Sequence, residues 1–396
     1  MSGADASGAD MSGAQANGAD TDGAAEAARL PAVEELRRYA RLHARAQGIA
    51  PDRCRQLLAA VGTSDGPGRD SWPLVWSRAG DGLAGRGRHL EACRHYGLAR
   101  FPFAADDDAL RRRAGQRCVE TFDRWRREQK GVERLEIALP EGEFACWTAG
   151  LSSRSPRPLI VVMGGIVSVK EQWAPILARA DALGVALAVT ELPGVGENAL
   201  PYRADSHRML SAVLDALTGR ADTARSFAVA LSFGGHLALR AALADDRVRG
   251  VATVGAPVRH FFLDRDWQRR VPATTVLTLA HLIGCAPADV FETVRSWALS
   301  EQELRRLHIP VTYAAALRDD IVPLTEPAEL LRDPAARRRL LLLDDEHGAP
   351  SELPRVRTAL LRAALRTTGA HPLRRGLLGA VGGAQALLSR AGRVSA

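Results

Sequence analysis

The sequence contains little lysine and few aromatic residues, which argues against a nucleic-acid-binding protein. Only two of its 53 basic residues are lysines, Lys130 and Lys170, and the arginines are spread along all 396 residues. Aromatic residues make up 5% of the chain, and no basic patch is interleaved with them. We therefore expect no nucleic-acid partner, although the net charge is +7.

Cysteine pairs and long apolar runs are also missing. The five cysteines form no Cys-x-x-Cys or histidine-linked pattern, which is typical of reduced, buried thiols (Cys54, Cys93, Cys118, Cys146 and Cys285). The chain shows no basic-then-apolar signal at its start and no run of about 18 apolar residues that could span a bilayer. These features predict a cytoplasmic protein without a membrane partner.

The composition that remains is that of a globular protein, with 46% hydrophobic and 25% charged residues. Residues 1–28 repeat Ser-Gly-Ala-Asp with small variations and predict a disordered tail, because they cannot bury enough apolar surface. Residues 29–130 show helical periodicity and predict an all-α cap domain of four or five helices. Residues 131–370 form the predicted catalytic domain, and residues 371–396 a C-terminal helix or tail.

The pattern within residues 131–370 predicts an α/β fold. Two alternating stretches joined by a Glu-Gly turn come first, VERLEIALP and GEFACWTAG. Six short apolar runs then alternate with helix-length segments, from PLIVVMGG to RRLLLLDD. Such runs indicate a mostly parallel sheet flanked by helices, in which functional side chains gather at the carboxyl ends of strands.

Ser232 stands between an apolar strand and a helical pattern, within Ala230-Leu231-Ser232-Phe233-Gly234. The nucleophile elbow has the pattern Gly-x-Ser-x-Gly, and alanine is the smallest substitute for its first glycine. A serine requires a base, which is itself oriented by an acid. Ser232 is therefore the candidate nucleophile.

Candidates for the acid and the base follow two later strands, in the chain order Ser, Asp, His. Asp319 belongs to Arg-Asp-Asp-Ile-Val-Pro, and His347 to Glu-His-Gly. The rivals of Asp319 are Asp320, Asp264 and Asp266, whereas His347 competes with histidines that lack the strand-end setting, such as His236, His207, His260, His281 and His308. A single βα unit and a short helix would fit between Ser232 and His347.

An oxyanion hole needs two backbone N–H donors. The first candidate is Phe233, directly after the serine, and the second is Ile166 or Gly165 in the loop after the first parallel strand. Lys170 and Glu171 follow this loop as either a solvated helix start or an ion pair that braces it. Gly194–Glu197 predicts a turn lining the site, and five aromatics are candidates for a substrate roof or for core positions (Trp72, Trp76, Tyr96, Phe101 and Phe103).

Together these motifs resemble the α/β-hydrolase superfamily. The GGIVSVKEQW stretch is most similar to the branch with 2,6-dihydropseudooxynicotine hydrolase, FrsA-like esterases and fungal Ayg1-type polyketide hydrolases and transferases. The resemblance implies an α/β-hydrolase fold behind a helical cap, and it matches Ser232, Asp319, His347 and Ile166 to the nucleophile, acid, base and loop donor.

The resemblance and the motifs together predict a serine hydrolase acting through an acyl-enzyme on an ester or β-dicarbonyl C–C bond of a small organic or polyketide-like substrate. No metal or organic cofactor is indicated. The alternatives are an acyltransferase or elimination enzyme of polyketide biosynthesis on the same triad, and a non-catalytic binding protein with this fold. The resemblance also implies a homodimer formed through the helical domain.

Overall fold

The computed structural model describes residues 31–332 and 337–369. The predicted tail at 1–28 and the predicted C-terminal helix or tail at 371–396 lie outside these residues. No single helix in the described chain is long and apolar enough to cross a membrane. One pair, Ala273–Ile283 with Pro287–Trp297, meets that test only when the two are joined, and they are bent by 96°.

The first hundred described residues form helices, at the upper end of the predicted number. They are α1 (Val33–Ala46), α2 (Pro51–Ala59), α3 (Trp72–Ala84), α4 (His89–Ala99) and α5 (Ala109–Arg127), here called the helical segment. Helix α5 shows the expected end chemistry, because the Asp108 carboxylate accepts the Arg111 N–H and three arginines occupy the last turn.

All eight predicted strands form, and they belong to one sheet. They are β1 (Glu133–Leu139), β2 (Gly142–Ala149), β3 (Pro158–Met163), β4 (Ala186–Thr190), β5 (Asp222–Ala230), β6 (Val248–Val254), β7 (Val311–Ala316) and β8 (Arg338–Leu343). Their order is β1-β2-β4-β3-β5-β6-β7-β8. Strand β2 is antiparallel to both of its neighbours, and the remaining pairs are parallel, which is the predicted layout.

Helices connect and cover these strands. They are α6 (Lys170–Trp173), α7 (Ala180–Leu183), α8 (Arg208–Leu217), α9 (Phe233–Ala244), α10 (His260–Leu263), α11 (Arg265–Gln268), α12 (Ala273–Ile283), α13 (Val290–Val294), α14 (Glu301–Arg306), α15 (Glu326–Leu331) and α16 (Leu353–Thr367). Five of them, α10 to α14, lie between β6 and β7. The spacing predicts a single βα unit there, with one helix after β6. The segment between β6 and β7 therefore contains more helices than the spacing predicted.

The helical segment packs against the sheet through buried aromatic and polar contacts. The rings of Phe122 and Trp147 lie 5.0 Å apart, and both side chains are fully buried. The five cysteines are free thiols, of which only Cys285 is partly exposed. This packing brings the helical segment to the carboxyl ends of the strands, where the candidate site lies.

Candidate active site

Ser232 is held on a strained turn between β5 and α9. Its backbone has φ 53° and ψ −129°, in a region that residues other than glycine rarely adopt. The next positions leave no room for a side chain: a Cβ on Gly234 would lie 2.3 Å from the Gly164 carbonyl oxygen, and one on Gly235 would lie 2.0 Å from Thr253 Oγ1. The turn therefore needs both glycines, whereas Ala230 fits before the serine with 1% exposure.

The structure brings Ser232, His347 and Asp319 together. The Ser232 hydroxyl lies 3.0 Å from His347 Nε2, and His347 Nδ1 lies 2.8 Å from Asp319 Oδ2. This arrangement fixes the neutral imidazole with its proton on Nδ1, donated to the carboxylate, so that Nε2 accepts from the serine. A side chain at the end of β5 is thereby joined to side chains that follow β7 and β8.

Asp319 is held in place by the chain that follows it. Its Oδ1 accepts the backbone N–H groups of Ile321 at 2.9 Å and Val322 at 2.8 Å. Burial alone would lower the pKa of His347, but the charge and hydrogen bond of Asp319 outweigh it and raise that pKa above its ordinary value. The carboxylate thus makes the imidazole a stronger base.

The rival acids lie elsewhere. Asp320, directly after Asp319, accepts a 2.7 Å hydrogen bond from the Tyr39 hydroxyl and pairs with Arg38 at 2.9 Å, so it joins the sheet to α1. Asp264 caps α11 by accepting two backbone N–H groups, and Asp266 pairs with Arg269. None of the three takes the place of Asp319 beside the imidazole.

The rival histidines have other partners or surroundings. His236 lies one turn into α9, where its Nδ1–H donates to the Pro257 carbonyl at 3.1 Å, and burial lowers its pKa to about 3. His260 pairs with Glu329, and His281 stacks on Phe103 with ring centroids 4.5 Å apart. Of the histidines compared, only His347 reaches Ser232.

The loop after β3 approaches the serine at close range. A Cβ on Gly165 would lie 3.0 Å from the Ser232 Cβ, so a side chain there would press on the serine. The loop is a turn closed by the Ser168 N–H, which donates to the Gly165 carbonyl at 3.0 Å. Within the described residues, the N–H groups of Phe233, Gly165 and Ile166 donate to no other part of the chain, and all three residues line the same pocket.

Lys170 lies in a buried charge cluster behind this loop. Its Nζ is 3.1 Å from Glu171, 2.9 Å from Glu191 and 2.7 Å from Glu197, and its side chain has no exposure. Burial would lower the pKa of Lys170, but the three carboxylates raise it well above its usual range. The lysine is therefore charged, as an ion pair requires, and the alternative of a solvated helix start is wrong.

The loop 194–197 does not line the pocket, contrary to the expectation for it. It wraps the Glu191 carboxylate instead, because a Cβ on Gly196 would lie 2.3 Å from Glu191 Oε2 and the Glu197 N–H donates to Oε1 at 2.9 Å. Glu191 Oε2 in turn accepts the Lys170 backbone N–H at 2.8 Å. The two loops are thus fastened to each other beneath the site.

A pocket of about 110 Å³ opens over Ser232 between the sheet and the helical segment. Phe101 is the only one of the five proposed roof aromatics that lines it, since Trp72, Trp76 and Tyr96 are core residues and Phe103 stacks on His281. Helix α1 also lines the pocket, with Tyr39, Leu42, His43 and Ala46. In the described residues, no cluster of three or more His, Cys, Asp or Glu side chains could hold a metal ion.

His43 is a pocket residue that the sequence reasoning missed. Burial lowers its pKa to about 4, helped by the nearby charges of His347 and Arg100, while a hydrogen bond with Gln172 acts in the opposite direction. His43 is therefore neutral at neutral pH. Helical periodicity predicts that residues 29–130 are helical, but it cannot show which residue of a helix lines the pocket.

Arg100 and Gly255 were also missed. Arg100, which is 4% exposed, reaches from the helical segment to donate to the Val167 carbonyl of the loop after β3 at 3.0 Å. Gly255 follows β6 with φ 57°, and a Cβ there would lie 2.9 Å from His347 Cε1 and 3.2 Å from Asp319 Oδ2. A lone glycine after an apolar strand was the available signal for the second residue.

Comparison with known proteins identifies the family. A family model described as Esterase FrsA-like matches residues 75–343. The chain belongs to the FrsA-like esterase family. Esterase FrsA of Vibrio cholerae serotype O1 (strain M66-2) is 23% identical, and the match covers 71% of this chain and 76% of the relative.

Solved structures agree with this assignment. The structure of wild-type AbyA5 is 47% identical with a TM-score of 0.84, covering 89% of this chain and 99% of the other. The structure of 2,6-dihydroxy-pseudo-oxynicotine hydrolase is 19% identical with a TM-score of 0.64, covering 82% and 96%, and it shows the shared fold. The predicted resemblance and the α/β-hydrolase fold are thus confirmed, and the protein is a hydrolase or esterase of that type.

Proposed function

We propose that Ser232 is the nucleophile of a serine esterase, that His347 is its general base and acid, and that Asp319 orients the imidazole and stabilises its protonated form. The observation that carries this proposal is the unbroken hydrogen-bond chain from Ser232 Oγ to His347 and on to Asp319, at 3.0 and 2.8 Å. Members of such a chain act together to make a neutral alcohol reactive.

In the first half-reaction, His347 Nε2 takes the hydroxyl proton as Ser232 Oγ bonds to the substrate carbonyl carbon. The Phe233 N–H, with that of Ile166 or Gly165, holds the oxyanion, and each such donor contributes about 3–4 kcal/mol to transition-state stabilisation. The carbonyl–oxygen bond then breaks, and the leaving alcohol takes its proton from His347. An acyl group remains on Ser232.

In the second half-reaction, water gives a proton to His347 and bonds to the acyl carbon. The Ser232–acyl bond breaks, the serine regains its proton from the imidazole, and a carboxylic acid is released. The same residues serve a β-dicarbonyl substrate, where the bond that breaks is carbon–carbon. The leaving group is then an enolate, and His347 protonates its carbon.

The substrate we propose is a small or polyketide-like acyl compound, and the character of the pocket supports an apolar acyl group. The volume of the pocket is about 110 Å³, and its lining is mainly apolar, with Leu42, Phe101, Leu231 and Ile321 among the wall residues. The roof from α1 shields the acyl group from bulk water. Such shielding strengthens the electrostatic contacts in the pocket.

The test is hydrolysis of p-nitrophenyl acetate by the wild type, Ser232→Ala and His347→Gln. We expect kcat to fall by at least a thousandfold in both variants, with the thermal midpoint of each close to that of the wild type. Full esterase activity in Ser232→Ala would overturn the proposal. Comparing short esters with β-diketones as substrates then shows which bond the enzyme cleaves faster.

The alternatives give different products on the same assay. A transferase yields a new ester when an alcohol acceptor is added, whereas a hydrolase yields the free acid in both cases. An elimination enzyme yields an alkene and a free acid without incorporating solvent oxygen into the acid. A non-catalytic binding protein yields no product and leaves Ser232 unlabelled by a fluorophosphonate probe.

A further inference from the structure

Two side chains that line the pocket each carry a buried polar atom without a partner. The indole nitrogen of Trp173 and the hydroxyl of Thr274 are both buried, and neither forms a hydrogen bond within residues 31–332 and 337–369. Thr274 as a whole is only 4% exposed. An unsatisfied buried donor destabilises the folded state, so two such groups on residues of one pocket call for an explanation.

Trp173 lies directly beside the loop after β3, which contains the proposed oxyanion-hole residues Gly165 and Ile166. A Cβ built on Gly164 would be 2.5 Å from Trp173 Nε1, while one on the next residue, Gly165, would be 3.0 Å from the Ser232 Cβ. The indole N–H of Trp173 therefore lies beside Gly164, and the next residue of the loop, Gly165, lies beside Ser232. Because an indole N–H can only donate, its missing partner is an acceptor.

Thr274 lies in the first turn of α12, and its backbone N–H is bound by a residue of α1. Its N–H donates to Glu35 Oε1 of α1 at 2.6 Å, which ties α12 to the helical segment. The side-chain hydroxyl remains free, although the equivalent group of Thr278 in the next turn donates to the Thr274 carbonyl at 2.6 Å. Thr274 has no such partner, because the residue four positions before it, Arg270, lies outside the helix.

The positive end of the α12 helix dipole also favours an acceptor atom near Thr274. Thr274 and Thr275, both in the first turn of this 11-residue helix, line the pocket. A helix N-terminus favours atoms that carry negative charge. The free hydroxyl and indole N–H, with this dipole, therefore favour an electron-rich oxygen over a methylene group.

We propose that Trp173 Nε1 and Thr274 Oγ1 hydrogen-bond a substrate oxygen other than that of the reacting carbonyl. These two residues then determine specificity, so that the enzyme selects acyl substrates with a second oxygen close to the scissile bond. The proposal rests on the proposed function in taking the bound molecule to be the substrate of Ser232. A site built to pair with such an oxygen discriminates against the analogue that lacks it.

The experiment compares ester pairs in which an oxygen replaces one methylene. The pairs are p-nitrophenyl methoxyacetate against p-nitrophenyl butyrate, for the acyl side, and 2-methoxyethyl acetate against butyl acetate, for the alcohol side. The measured quantity is the kcat/KM ratio within each pair. We expect Trp173→Phe and Thr274→Val each to lower this ratio three- to tenfold relative to the wild type in at least one pair.

Matched variants separate specificity from folding. Thr278→Val removes a hydroxyl on the same helix that already has a partner, and Trp125→Phe removes an indole N–H from the helical segment; both should leave the ratios unchanged. Since Thr274→Val replaces an unpaired buried hydroxyl with a methyl group, we expect its thermal midpoint to equal or exceed that of the wild type. A structural role for the hydroxyl would instead lower it.

Binding to inactive Ser232→Ala protein tests the inference without turnover. The probes are N-propyl methoxyacetamide with N-propylbutanamide, and N-(2-methoxyethyl)acetamide with N-butylacetamide, titrated by calorimetry with and without Trp173→Phe or Thr274→Val. The inference is overturned when neither variant changes any ratio of Kd values or of kcat/KM. Activity that survives in Ser232→Ala would instead refute the proposed function, and the binding ratios would still decide the inference.

Discussion

Adding a single methyl group at Gly255 should displace the imidazole of His347 and leave the fold intact. In Gly255→Ala the new Cβ lies 2.9 Å from His347 Cε1, 3.0 Å from Nδ1 and 3.2 Å from Asp319 Oδ2. The imidazole is the movable end of a side chain, so the contact is relieved by shifting it and lengthening its bonds to Ser232 and Asp319. A misplacement of about 1 Å costs about a hundredfold in rate.

The backbone conformation at Gly255 separately lowers the free energy of unfolding of the alanine variant. Gly255 has φ 57°, and placing an L-residue in this left-handed region costs about 1–2 kcal/mol. Gly131→Ala carries the same backbone cost at φ 70° with no atom within 4 Å of the new Cβ. It is therefore the matched control for strain without a clash.

The assay is kcat/KM for p-nitrophenyl acetate together with urea unfolding. We expect both variants to lose about 1–2 kcal/mol of unfolding free energy. Only Gly255→Ala should lose activity, by about a hundredfold. The reasoning is refuted when Gly255→Ala keeps activity within twofold of the wild type, or when Gly131→Ala loses as much.

Three further predictions concern titration and buried charge. Because His43 has a pKa of about 4 when folded and about 6.5 when unfolded, the folded state loses about 2 kcal/mol of stability through this group as pH falls from 8 to 5, and urea unfolding of His43→Gln should lack that part of the loss. Lys170→Met leaves buried carboxylates unpaired and should cost about 3–5 kcal/mol in urea unfolding, whereas Met at the exposed Lys130 should stay within about 0.5 kcal/mol of the wild type. The kcat/KM of the wild type should rise with pH through an apparent pKa above 6.5, and Asp319→Asn should move this midpoint down and reduce kcat about ten-thousandfold. The first prediction is contradicted when His43→Gln loses as much stability as the wild type between pH 8 and 5. The second is contradicted when Lys170→Met unfolds with the free energy of the wild type, and the third when the apparent pKa of kcat/KM is the same in Asp319→Asn as in the wild type.

Local sequence patterns predicted most of the fold. Two alternating stretches and six short apolar runs marked the eight strands, and the Glu-Gly turn marked the hairpin of β1 and β2. The number of helices between β6 and β7 was underestimated because four of them (α10, α11, α13 and α14) have only four to six residues, too few turns for periodicity to show. What they cover depends on packing rather than on local preference.

The candidate residues of the site could be proposed from sequence because each lies at a strand end. Chain order then selected Ser232, Asp319 and His347, and the structure places them within hydrogen-bond distance of one another. The roof could not be predicted in this way. His43 and Arg100 reach the site only through the docking of the helical segment, and nothing local distinguishes them from other residues on the buried faces of helices.

The most direct test of the account is the mass of the protein after reaction with an activated ester. The intact mass, taken by rapid acid quench in the first turnovers with p-nitrophenyl butyrate, should rise by one butyryl group. Peptide mapping should place that group on Ser232, and Ser232→Ala should stay unmodified. An acyl group on another residue, or hydrolysis with no adduct and no burst of p-nitrophenol, would contradict the claim that Ser232 becomes acylated.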